Sequence, residues 1–173
     1  MLFRSGKKLG YLEEQLAQDA KIVRLMPNTP ALVGEGCTGV CRNKNVSADE
    51  FDFVLKMLSG FGKAFEVKEN QMDAVVAVSG SSPAYVFMLI DSMADGAVAE
   101  GLDRATAIKM AAQAVLGSAK MVIETGKHPA ELKDMVCSPA GTTIDAVAAL
   151  EKGGFRSSVM DAMRACAEKS RAI

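Results

Sequence analysis

Apolar positions change their spacing near residue 69, and that change organises the chain. Before it, short apolar runs alternate with turn residues. Lys8 to Ala17 has the pattern of a short helix end, and Lys21 to Met26 reads as a buried strand stopped by Pro27. Pro27-Asn28-Thr29-Pro30 predicts a turn. Gly36 to Arg42 predicts a second strand. Ser47 then caps a helix from Ala48 to about Ser59, with Phe51, Val54, Leu55 and Leu58 at helical spacing, and Phe65 to Lys68 predicts a short third strand. Strand, strand, helix, strand is the tail of an α/β sheet, and nothing before Met26 supplies its beginning.

From Glu69 onward the pattern is helical throughout. Asn70 to Val78 is apolar, and Ser79 to Tyr85 interrupts it with small residues. Pro83 suits the first turn of a helix that runs to about Glu100 and stops at Gly101. Asp103 caps the next helix, in which Ala105, Ile108, Ala112, Val115, Ala119 and Val122 form one stripe suited to a core or an interface. Gly126 and Pro129 precede a short helix from Ala130 to Val136. Thr143 to Glu151 and Ser157 to Ala172 predict two more, separated by Gly153-Gly154. The pattern therefore predicts two regions: residues 1–68, the remnant of an α/β domain, and residues 69–173, all helical.

Composition narrows the function. Twenty basic and 21 acidic residues leave a net charge of −1 with no basic run, which argues against nucleic acid as a partner. No apolar run approaches the ~20 residues that span a bilayer, and Met1 to Lys8 lacks a signal-peptide core, so a cytoplasmic protein is expected. Cys37, Cys41, Cys137 and Cys166 lack metal-ligand spacing, and His128 is the single histidine in the chain. Neither a metal site nor a Ser-His-Asp triad can be assembled from them within one chain.

Two glycine motifs invite a ligand. Gly34-Glu-Gly-Cys-Thr-Gly39 satisfies G-x-G-x-x-G, but a dinucleotide fingerprint requires a helix to open at the third glycine. Val40 to Val46 is β-like and then turn-like, so we reject it as a cofactor site. Ser138-Pro139-Ala140-Gly141 is different, because it runs into Thr142, Thr143 and a helical pattern. First-turn amides without partners, positive dipole charge and a nearby hydroxyl can hold a small carboxylate or phosphate without Lys or Arg. The structural alternative is an ordinary cap, with Thr142 and Asp145 as a variant capping box.

Five motifs in order carry a resemblance: Met26-Pro-Asn-Thr-Pro30, Ala77 to Tyr85 (AVSGSSPAY), Gly126 to Asp134 (GKHPAELKD), Ser138 to Ile144 (SPAGTTI) and Glu151 to Arg156 (EKGGFR). From about Leu9 to the C-terminus the chain resembles the second half of pyrroline-5-carboxylate reductases. Ser82 and Ala140 stand where that pattern commonly has glycine, which alters backbone freedom without removing a site. The resemblance implies the end of a Rossmann-type sheet followed by a helical dimerisation domain. It implies NAD(P)H-dependent reduction of 1-pyrroline-5-carboxylate to L-proline, with the active site at a homodimer interface. It also implies that Ser138 and the amides of Gly141, Thr142 and Thr143 hold the substrate carboxylate. The Thr143 hydroxyl would meet the ring nitrogen, and Asn28 and Thr29 would border the nicotinamide.

Met1 to Gly6 matches nothing in that family. The expectation is therefore a fragment without most of the NADP or NAD site, able to dimerise but binding NADPH poorly and turning over slowly or not at all. Two alternatives stay open. One is a related reductase that uses a catalytic lysine, for which Lys109, Lys120 and Lys133 lack a partner constellation. The other is a non-catalytic helical dimerisation module.

Overall fold

The structure is a computed structural model that describes residues 7–172; the Met1 to Gly6 segment lies outside the described residues. The fold class is the expected one, a small sheet followed by helices. The chain divides into two compact units, one holding residues up to Pro83 together with those from Asp161 on, the other holding Ala84–Met160.

In the first unit, helix α1 (Leu9–Gln15) precedes strand β1 (Val23–Met26), strand β2 (Gly36–Arg42), helix α2 (Ala48–Leu58) and strand β3 (Gly62–Glu66). The sheet order is β1-β2-β3. β1 runs antiparallel to β2, while β3 runs parallel to it after the α2 crossover. Alternation along β2 divides the core. Val40 faces α2 and packs with Phe51 and Val46. On the other face Cys41 joins Met26, Ile22, Leu9 and Met72. The third strand lies earlier than Phe65 to Lys68. Gly62, Lys63 and Ala64 have little strand propensity of their own, and pairing with Gly36, Cys37 and Thr38 recruits them.

Polar side chains tie the loops down. Ser47 and Glu50 form a full capping box on α2, and Lys21 pairs with Glu50. Together these bonds hold the Glu50 carboxyl at about 2, the Lys21 hydrogen bond contributing most. Arg42 donates to the carbonyls of Val46 and Ser47 and lies over the Phe51 ring, 4.5 Å from its centroid. Arg24 pairs with Glu69 at 3.2 Å and is 11% exposed. Burial, then the Glu69 charge, pushes the Cys41 thiol up to about 11 against the opposing pull of Arg24. Cys41 is therefore not a nucleophile at neutral pH.

The three glycines of the apparent fingerprint serve a turn and close packing. Gly34 takes φ 80°, in the left-handed region. A Cβ on Gly36 would lie 2.7 Å from the Phe61 carbonyl oxygen, and one on Gly39 would lie 2.5 Å from Val75 Cγ1. β2 runs straight on to Arg42, and no helix opens at Gly39.

A helical run crosses from Glu69 to Ala99. It comprises a 3₁₀ turn, helix α3 (Met72–Val75), a π-helical turn (Val76–Gly80) and helix α4 (Ser82–Ala99). It is 31 residues long and holds an 18-residue window of mean hydropathy 1.4, which makes it long and apolar enough to cross a membrane by length and composition. That corrects the expectation that no such run exists; Asp91 and Asp95 fall within it. Helices α5 (Arg104–Thr125), α6 (Pro129–Val136), α7 (Thr142–Lys152) and α8 (Phe155–Arg171) follow. Asp103 caps α5 by accepting from the Thr106 amide at 3.0 Å. His128 caps α6, its Nδ1 accepting from the Ala130 amide at 3.2 Å.

The second unit has almost no core. Among its described residues, the hydrophobic side chains fully buried are Ala94, Ala107 and Ala111. Most of the predicted α5 stripe is exposed, and Phe87, Met88, Met110, Leu116 and Ile123 are each more than half exposed.

Two measurements check this fold. Gly39→Ala should lower stability by about 1–3 kcal/mol through overpacking against Val75, whereas Gly60→Ala, with open space around it, should stay within roughly 0.5 kcal/mol. Equal shifts in chemical denaturation would contradict the packing. Because the folded Glu50 carboxyl titrates near 2 rather than its usual 4.5, its stabilisation is present above the usual value and is lost as pH falls toward 2. Glu50→Gln should therefore flatten the acid limb of melting temperature against pH; an acid limb parallel to the parent's would count against it.

Candidate anion cradle at the start of α7

α6 ends at Val136, and Cys137 leads into a tight turn. The Gly141 amide donates to the Ser138 carbonyl at 3.1 Å, closing Ser138-Pro139-Ala140-Gly141. Proline second and a positive φ third are the arrangement of a type II turn. Ala140 occupies that third position at φ 54°, and among the described residues it is the one non-glycine with positive φ. The resemblance marked Ala140 as a common glycine position, and this backbone conformation supplies the reason.

Gly141 is the N-cap of α7, extended at φ −84° and ψ 167°, with no side-chain cap. The variant capping box of Thr142 and Asp145 does not form, because Thr142 is the first residue inside the helix and not the cap. A Cβ on Gly141 would lie 2.3 Å from Ser138 Oγ, so the missing side chain leaves room for that hydroxyl. The Gly141 amide is already committed inside the turn. Among the described residues, no acceptor meets the amides of Thr142 or Thr143. Thr142 is exposed and Thr143 half-buried.

The surrounding charges leave the work to these amides. Lys133, the nearest basic residue before the turn, is bound to Asp134 at 2.5 Å, and that hydrogen bond raises its pKa. Arg156 pairs with Glu151 of the same chain at 2.6 Å. What remains at the start of α7 is a pair of N–H groups at the positive end of an 11-residue helix, beside the hydroxyls of Ser138, Thr142 and Thr143. That chemistry suits a small anion.

The other predicted residues lie in the first unit. Thr29 opens a 3₁₀ turn (Thr29–Val33) and is exposed. Asn28 faces inward instead, and its carboxamide bonds the Ser79 carbonyl and the Cys37 amide. Sequence patterns gave no sign of that bond to Ser79, 51 residues away in the chain.

The chain is similar to known proteins. A family model described as pyrroline-5-carboxylate reductase dimerisation matches residues 69–173. A pyrroline-5-carboxylate reductase of Escherichia coli strain K12 is 55% identical over 98% of this chain, and one of Methanosarcina acetivorans is 46% identical over the same share. The match covers 63% of each relative, so the chain spans less than two thirds of their length. A crystal structure of Plasmodium falciparum pyrroline carboxylate reductase with NADP bound has a TM-score of 0.90 at 40% identity, covering 97% of this chain and 66% of that one. A pyrroline-5-carboxylate reductase structure from Coxiella burnetii gives 0.93 at 34% identity, covering 96% and 62%. Because the family model covers residues 69–173 and these relatives and structures match nearly the whole chain, this protein belongs to the pyrroline-5-carboxylate reductase family.

Proposed function

We propose that this chain is the substrate-gripping and dimer-forming part of a cytoplasmic reductase that converts 1-pyrroline-5-carboxylate to L-proline. The observation that carries the reading is the pair of amides at Thr142 and Thr143, without acceptors among the described residues and next to three hydroxyls. They bind the substrate carboxylate together with the Ser138 hydroxyl. Gly141 contributes space and shape, since its own N–H is engaged. The Thr143 hydroxyl hydrogen-bonds the ring nitrogen, and a neutral group there tolerates the protonated imine that accepts hydride best. A reduced nicotinamide, from NADPH or NADH, supplies the hydride when bound. Of this chain's residues Thr29 borders that ring, while the glycines of residues 34–39 are engaged in turn and strand packing and do not fit a pyrophosphate.

The helical region, taken as residues 69–173, forms a homodimer with a second copy. Large apolar side chains exposed on α4 and α5 support this, because helices that bury three alanines between them need a further surface to cover. The same exposure favours the second reading, a dimerisation module without catalysis. Neither reading gives nucleic acid or membrane a role as partner.

Four outcomes follow. In a full-length reductase carrying this segment, Thr143→Ala should lower kcat by roughly 10- to 100-fold with an unchanged melting temperature, the scale of one lost hydrogen bond to a charged group. Retained kcat would leave the dimerisation module. Ser138→Ala should raise the substrate KM by about tenfold and leave kcat within a factor of two; an unchanged KM would move the carboxylate elsewhere. Ala140→Gly should stabilise the chain by about 0.5–1 kcal/mol, because relief of the left-handed strain exceeds the added entropy cost. Loss of stability would refute the positive φ. Sedimentation at micromolar concentration should give twice the 18.2 kDa chain mass, and a single-chain mass would contradict the dimer.

A further inference from the structure

One side chain joins the Pro27–Pro30 turn to the π-helical turn. Asn28 Nδ2 donates to the Ser79 carbonyl at 3.1 Å, and Asn28 Oδ1 accepts from the Cys37 amide at 2.8 Å. A carbonyl can only accept and an amide N–H can only donate, so the two partners fix which end of the carboxamide faces which. Both partners are main-chain groups. The bond therefore holds the backbone itself in place.

The Ser79 carbonyl needs this donor for a reason visible in the sequence. In an α-helix its partner would be the N–H four residues on, and that residue is Pro83, which has none. The chain widens into the π turn just there, with the Ser81 amide reaching back to the Val76 carbonyl at 2.8 Å. Ser79 is 4% exposed, so water has little access to a carbonyl left without a donor, and an unmet group of that kind is costly. The packing around the bond is close. Ser79 Oγ donates to the Val75 carbonyl at 3.0 Å, and a Cβ on Gly80 would lie 3.6 Å from Met26 Sδ, one residue before Pro27.

We propose that Asn28 is a positioning residue: it gives Ser79 the hydrogen bond that Pro83 cannot, and so fixes the turn that carries Thr29 against the start of the helical region. The bracket stands on hydrogen bonding alone. Its bearing on the reaction rests on the reading that Thr29 borders the nicotinamide. Asn28 itself is turned inward and engaged at both ends of its carboxamide.

Hydrogen exchange read by NMR on this chain tests the bracket without any assay of activity, so failure of the carboxylate grip and failure of the bracket are separate results. In the parent, one Asn28 Nδ2 proton should exchange at least tenfold more slowly than the other. Asn28→Asp keeps the acceptor for Cys37 and removes the donor for Ser79. It should speed exchange at Gly80 to Ser82 by tenfold or more while Cys37 stays within threefold. Adding Pro83→Ala restores an N–H four residues after Ser79 and should bring Gly80 to Ser82 back within threefold of the parent. Two equally fast Nδ2 protons, no change in Asn28→Asp, or no rescue by Pro83→Ala would each overturn the proposal. The Nδ2 comparison needs no variant and holds if a substitution prevents folding.

Discussion

The constraint on which the rest depends is the unmet donors at the start of α7. A helix leaves its first amides without internal partners, and the chain usually answers with a side-chain cap. Here the cap is Gly141, which has no side chain to offer. The turn before it takes the Gly141 amide for itself and leaves those of Thr142 and Thr143 without acceptors among the described residues. Pro139 and the left-handed Ala140 give the turn that geometry, and Ser138 Oγ occupies the space that a Cβ on Gly141 would fill. Each residue of the turn thus serves the same end, placing donors and a hydroxyl beside one another, while Lys133 and Arg156 are paired with carboxylates.

Such a cradle needs a rigid mounting, and the second unit has little rigidity of its own. Its buried apolar side chains are alanines, whose burial releases little hydrophobic free energy. Small residues do let helices approach closely, so a second copy can bring its own apolar faces against α4 and α5. The order this gives α7 would come from the pair. The first unit has the opposite character. It holds two clusters around Val40 and Cys41, a full capping box and a half-buried Arg24–Glu69 pair. The residues of this unit are therefore held by side-chain packing inside one chain.

Much of this was legible before any coordinates. Ser47, Asp103 and Gly126 announced helix ends because capping depends on one or two local residues. The false fingerprint could be rejected because its mechanism needs a helix after the third glycine. What stayed hidden was non-local. β3 was misplaced because its first three residues are strand only through pairing with β2. The capping box at Thr142 was a plausible local pattern that lost to the turn preceding it. Asn28 was expected to border the nicotinamide, and its bond to Ser79 went unread although the missing N–H of Pro83 already stood in the sequence. The membrane-length run was misjudged because Ser79 to Tyr85 and Asp91 look like breaks in the sequence, whereas the helical run continues through them to Ala99.

The most direct test of the central claim is an amide NMR titration of this chain with L-proline and, in parallel, with pyrrolidine, which lacks the carboxylate. The account predicts saturable shifts at the Thr142 and Thr143 amides with L-proline, and none at those amides with pyrrolidine. Shifts of equal size with both ligands, or with L-proline only at amides outside residues 138–144, would contradict it.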